Sequence, residues 1–198
     1  NYTGGGISSS LNEISNVGTG VVTQQLSASN SQLNLSDIVS NSKITSYDNA
    51  AVQHSDGANL SITNANLSAN SGNSVAVAID NNNVDVTINR STLTGDSSSD
   101  TDTAIDLVSV NDSSNHNIYF NDIEDFDVGL TGSDVTKLER ADAVANYWGS
   151  SDGPQASDGS TVEVPLNEPD SAAIYDPYLT SPTDSVATNE TGHDPAID

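Results

Sequence analysis

Asp80 and Asp106 are the two residues best placed to do chemistry together. Each closes the tripeptide Ala-Ile-Asp, and the two are 26 positions apart. In a chain that stacks with that period, the carboxylates would face outward on adjacent layers about 4.8 Å apart, flanked by Gln53 and Thr131. Carboxylates about 5 Å apart are the arrangement of a retaining glycosidase, and the same oxygens would suit Ca²⁺. The competing account is a solvated acidic ladder, and the abundance of Asp favours it.

The other chemistry-bearing residues are dispersed. The loop Asp96–Asp102 (DSSSDTD) and the run Asp122–Asp127 (DIEDFD) are rich in oxygen donors of the kind that hold structural Ca²⁺, though the expected cofactor is none. Neither matches an EF-hand loop or a glycine-rich nonapeptide repeat. His54, His116 and His193 have no ligand spacing, which argues against zinc. There is no cysteine, so disulfides and thiolate metal sites are excluded. No phosphate-binding glycine loop or nucleophile elbow occurs. No catalytic or cofactor-binding residue is assigned on this reading, and the metal ligands stay open.

The elements that would position these residues are legible from one stretch, Ser74–Thr94. Val75, Val77 and Ile79 alternate with small or polar residues, which is the period of a half-buried strand. Asp80 to Asn83 interrupt it with turn formers, and Val84, Val86 and Ile88 resume the alternation. A polar corner, Ser91-Thr92, then leads to Leu93, which must point inward again.

That unit recurs. Apolar pairs five residues apart appear as Leu33/Ile38, Ile62/Leu67, Ile88/Leu93, Ile118/Ile123 and Ala143/Trp148. Each pair brackets a polar corner: Ser36-Asp37, Ala65-Asn66, Ser91-Thr92, Asn121-Asp122 and Asn146-Tyr147. A repeat of 25–30 residues with fixed strands and variable loops predicts a solenoid. The expected fold is all-β, a single-stranded right-handed parallel β-helix of about five to six coils, roughly 25–30 Å long. A β-sandwich also has many short strands, but it does not predict a fixed five-residue pair at a regular interval. Asp134–Asn146 is the one helix candidate, with Asp134 at its N-cap; a charged surface loop is the alternative there.

Charge narrows the partners. The net charge is −24 with only four Lys and Arg, which excludes a nucleic-acid footprint and an anionic membrane surface. No apolar run approaches the length of a membrane span. Asp-rich acidity with β-branched residues in strict alternation is unlike disorder, and fits a folded surface adapted to molar salt.

Near the end the chain reads NYWGSSDGP from Asn146 and YDPYLTSP from Tyr175. This pair resembles the closing segment of right-handed parallel β-helix repeat proteins of the pectate-lyase-like superfamily, with Tyr178 where that group more often has Trp. The acidic surface resembles that of secreted haloarchaeal proteins. The resemblance implies that Trp148 seals the last coil and that Gly149 turns the chain away from it. Enzymes of this shape cleave acidic polysaccharides with carboxylates, often Ca²⁺, and a base near the scissile bond. Here Arg90 is the one mid-barrel base and lies on a corner, and a negative face would repel uronates.

Residues 1–153 are accordingly expected to form the β-helix. Residues 154–180 should be an extended tail packed on the helix or on a neighbour, and 181–198 a flexible terminus. The expected function is a non-catalytic extracellular module of a halophilic cell surface, filament or virion, used for structure or adhesion. Its partners would be a cell-surface glycan or protein, with self-assembly as a further option. The alternative is a carbohydrate-active enzyme, a polysaccharide lyase or glycosidase, on the same scaffold.

Overall fold

The structure is a computed structural model that describes residues 13–24, 43–55, 59–69, 73–80, 84–96, 102–107, 115–132, 141–154, 161–162, 174–175 and 177–182. Every strand pair in it is parallel. The strands fall into three ladders wound around one core, as a parallel β-helix requires. The first ladder holds β3 (Leu60–Thr63), β6 (Val86–Asn89), β9 (His116–Tyr119) and β12 (Ala141–Asp142). The second runs β4 (Asn66–Ala69), β7 (Thr92–Thr94), β10 (Asp122–Glu124). The third runs β5 (Val75–Ile79), β8 (Thr103–Leu107), β11 (Val128–Thr131), β13 (Thr161–Val162). Two longer strands, β1 (Glu13–Gln24) and β2 (Lys43–Ser55), lie side by side. The first half of β2 pairs β4 and its second half pairs β5, so one strand spans two faces.

Period-2 alternation turns into vertical columns. Ile62, Ile88 and Ile118 are mutual partners and fully buried, and Ile44, Leu67, Leu93 and Ile123 form a second column. Val52, Val77, Ile105 and Leu130 make a third. Each coil thus contributes a few aliphatic side chains to the core, which explains how a chain only 34% hydrophobic can fill it. Leu33 and Ile38 lie outside the described residues.

The five-residue spacing within each pair is set by a corner with its own backbone rule. Asn64, Arg90, Phe120 and Ala145 all take positive φ, between 49° and 61°. A single left-handed residue bends the chain sharply enough for both flanking aliphatics to face inward. It costs roughly 1 kcal/mol or more at a residue that is neither Gly nor Asn.

The residue after each bend points into the core, and three of the four are polar. Asn121 and Asn146 are completely buried, and Ser91 is nearly so. The Ser91 N–H donates to Asn121 Oδ1 at 3.0 Å, and the Asn121 N–H donates to Asn146 Oδ1 at 3.0 Å. Asn121 Nδ2 donates to the Ile88 carbonyl at 2.9 Å, and Asn146 Nδ2 to the Ile118 carbonyl at 2.7 Å. At the next level down, the Ala65 N–H donates to Ser91 Oγ at 3.1 Å. The short polar residues of the corners form an internal ladder that satisfies the backbone of adjacent coils.

One expectation is corrected. The described part of the Asp134–Asn146 helix candidate is not helical: Ala141-Asp142 is strand, extending the first ladder, and residues 144–145 are a turn. Residues 133–140 lie outside the description. Parallel pairing begins with β1, which matches β2 from Glu13 onward with one register shift.

Trp148 is fully buried, and Gly149 takes φ 82° to turn the chain away. Beyond it, three short pieces of residues 161–179 continue the three ladders. β13 pairs β11, Ile174 bridges Asp142, and Leu179 bridges Tyr147, all in parallel. Tyr175 and Tyr178 pack against the core. A Cβ on Gly153 would come within 2.6 Å of the Tyr178 ring, so that seat requires glycine. Residues 1–6 and 183–198 lie outside the described residues.

Candidate functional site

The first ladder turns an open groove of about 490 Å³ to solvent, lined by Asn59, Leu60, Ser61, Asp85, Thr87, Asn115 and Asn117. Strand alternation builds it. Leu60, Val86 and His116 point inward, so Ser61, Thr87 and Asn117 point out as one row of registered partners. One residue before each strand stands a second row, Asn59, Asp85 and Asn115.

This second row is internally bonded. The Asp85 N–H donates to Asn59 Oδ1 at 3.0 Å, and Asn59 Nδ2 lies 3.4 Å from Asp85 Oδ2. The Asn115 N–H donates to Asp85 Oδ1 at 2.8 Å. Both oxygens of the carboxylate are therefore engaged in holding adjacent coils in register. The groove presents amides and hydroxyls at coil spacing, about 4.8 Å apart, with Asp85 the single titratable group among its described lining residues. None of its described lining residues is aromatic. Tyr119, farther along β9, is half-buried; its hydroxyl accepts from Asn89 Nδ2 at 2.9 Å and its ring meets Phe120 edge-on.

Asp80 and Asp106 are not brought together as an aligned pair. Val75 pairs Thr103 and Val77 pairs Ile105, which puts Asp106 opposite Ala78 and leaves Asp80 two residues out of register. Their Cα positions are then roughly 8 Å apart by strand geometry. Gln53 and Thr131 do belong to this row, which reads Gln53, Ala78, Asp106, Thr131. The inward residues set the register, and the Ala-Ile-Asp likeness is local.

Two carboxylates of the oxygen-rich runs serve the backbone. Asp102 is fully buried and accepts the Asp96 N–H at 2.7 Å, while Asp127 Oδ2 accepts the Asp102 N–H at 3.2 Å. Among the described residues no three acidic or histidine side chains gather as a metal cluster; residues 97–101 lie outside the description. His54 is buried on β2 and His116 on β9, in different ladders, and His193 is not described.

His116 stands in the inward column Leu60, Val86, His116, Ala141, with neither ring nitrogen hydrogen-bonded. Burial pulls its pKa down to about 4, against a smaller upward pull from the Asp85 charge. It is a neutral core side chain at neutral pH.

Sequence reasoning missed the groove, although a signal for it exists. Once Ile62, Ile88 and Ile118 are aligned, the residues three before them are Asn59, Asp85 and Asn115, and those one before are Ser61, Thr87 and Asn117. Reading every phase of the repeat, beyond its apolar phases, would have found both rows. Compared with protein-family models, curated proteins and solved structures, the chain matches none.

Proposed function

We propose that this chain is a non-catalytic extracellular module, a rigid solenoid of a halophilic cell surface, filament or virion, that adheres to a neutral glycan along its groove. The observation that carries the reading is the double row of amides and hydroxyls at coil spacing, in which the Asp85 carboxylate is already tied to its neighbours. Such groups both donate and accept, as sugar hydroxyls do. The net charge of −24 disfavours acidic glycans. A groove without a stacking ring binds each sugar weakly, and weak sites work through many copies, which suits adhesion. The offset of Asp80 from Asp106 weighs against the aligned pair that a retaining glycosidase would use. The Asn146–Gly149 closure and the stacked coils support kinship with pectate-lyase-like solenoids, and the acidic surface supports a saline setting. Among the described residues no helix is long and apolar enough to cross a membrane.

Multivalent display of the protein on a neutral and acidic glycan array, at high salt, tests the ligand. Neutral glycans should retain the wild type, and Thr87→Arg, which fills the groove, should lose that retention. Binding that Thr87→Arg leaves intact, or binding confined to acidic glycans, would remove the groove from the account.

The saline setting has its own test. Screening at about 1 M salt confines repulsion to roughly 3 Å, so the melting temperature should climb from low to molar KCl. A flat or falling curve would end the halophilic part of the proposal.

A further inference from the structure

Three buried oxygens, Tyr47 Oη, Ser74 Oγ and Asp102 Oδ1, have no hydrogen-bond partner, and the three residues are completely enclosed. Register gathers them at the corner where the third ladder begins. Val75 pairs Thr103, so Ser74 and Asp102, one residue earlier, occupy adjacent coils, and the Thr103 N–H donates to the Ser74 carbonyl at 2.9 Å. Ala50 pairs Val75 from the coil before, and Tyr47 sits just ahead of it with its ring in the core. The Tyr47 phenol is pushed above its ordinary pKa, mainly by burial and then by the charge of Asp102, so that carboxylate acts on the hydroxyl.

Asp102 is fixed in place. Its Oδ2 accepts the Asp96 N–H, its own N–H donates to Asp127, and its carbonyl accepts the Val128 N–H at 3.1 Å. One main-chain hydrogen bond does not offset the desolvation of a carboxylate. Both described cationic side chains, Lys43 and Arg90, are exposed and do not share this enclosed corner.

We propose that this corner binds an alkali-metal cation, Na⁺ or K⁺, through Asp102 Oδ1, Tyr47 Oη and Ser74 Oγ. All three are hard oxygen donors, and a single negative charge balances a monovalent ion. Ca²⁺ takes 6–8 oxygens, typically with several carboxylates, and here it would leave a net positive charge buried. A water molecule would satisfy the hydroxyls but not neutralise the carboxylate. The net charge of −24 keeps the surroundings rich in cations. An ion that binds the folded chain alone raises stability with its concentration. That effect depends on the identity of the ion, whereas screening depends on ionic strength alone.

The full chain is therefore melted at one fixed ionic strength in NaCl, in KCl and in choline chloride, whose cation screens equally but is too large for the corner. The melting temperature should be several degrees higher in at least one alkali salt than in choline. Asp102→Asn should abolish the difference. Tyr47→Phe removes one ligand, keeps the ring, and should shrink the difference, which covers an Asp102→Asn chain that does not fold. Crystals grown in RbCl should show an anomalous peak beside Asp102 Oδ1. Equal melting in the three salts, or an alkali effect that both variants keep, overturns the proposal and leaves the corner to water. Stabilisation by millimolar Ca²⁺ without any alkali effect overturns the choice of ion.

Discussion

Asn121→Ala should lower folding stability by about 4 kcal/mol. The Asn121 side chain accepts from the Ser91 N–H and donates to the Ile88 carbonyl and to Asn146 Oδ1. Removing it strips partners from groups in two other coils at a site with no access to water. Each buried polar group left unsatisfied costs about 1–3 kcal/mol, and the void left by the amide adds to that. Asn121→Asp tests the chemistry beyond the shape. It keeps the acceptor for Ser91 but loses both donations and buries a charge, so it should be at least as damaging at neutral pH. Because Asn121 Nδ2 donates to Asn146 Oδ1, the loss in Asn121→Ala/Asn146→Ala should fall short of the sum of the single losses. Denaturant unfolding in high salt measures all of these. An Asn121→Ala protein within about 1 kcal/mol of wild type would mean that the ladder adds little.

Acid should act through His116, by about 3 kcal/mol. The folded chain protonates this imidazole only near pH 4, whereas the unfolded chain does so near 6.5. Between those values the unfolded state binds a proton that the folded state does not, so stability falls as the pH falls. Above 6.5 both states are neutral and nothing is lost; below 4 the full difference has been spent. A gap of that width corresponds to about 3 kcal/mol. Protonating the many carboxylates acts in the opposite direction by relieving repulsion, so the wild type must be compared with His116→Leu, in which that background is shared. Leu suits the column that Leu60 and Val86 already occupy. The stability advantage of the variant should grow from pH 6.5 to 4. A gap that does not change with pH would mean that His116 is not buried neutral.

What the sequence made legible follows from how each feature is encoded. The aliphatic columns are written as strict alternation with a repeat, so Ile62, Ile88 and Ile118 could be placed in one line before any coordinates. The five-residue spacing was visible too, but its cause was not. Arg90, Phe120 and Ala145 carry no local signature of left-handed backbone, and their conformation is imposed by the coils on either side. The polar corners are legible too, but nothing in the type of Asn121 or Asn146 says that the amide is completely buried. Asp80 and Asp106 misled for a related reason. Identity of a tripeptide is a weaker guide to register than the match of Val75 and Val77 with Thr103 and Ile105. Thr161–Val162 falls in the tail expected to pack on the helix, but a two-residue strand followed by prolines does not say which ladder it joins.

The three-ladder winding also has a mechanical meaning. The pairings that join coils connect residues between 22 and 33 positions apart, so each rung encloses a comparable length of chain. Pulled by its ends, such a molecule has no distant clasp to break first; each coil is held by its immediate neighbours. It would pay out chain in similar lengths, each about 90 Å when drawn straight, as rope comes off a drum one turn at a time. Stretching forces on an anchored copy would thus be absorbed by a few turns at one end, while the groove on the remaining turns kept its shape.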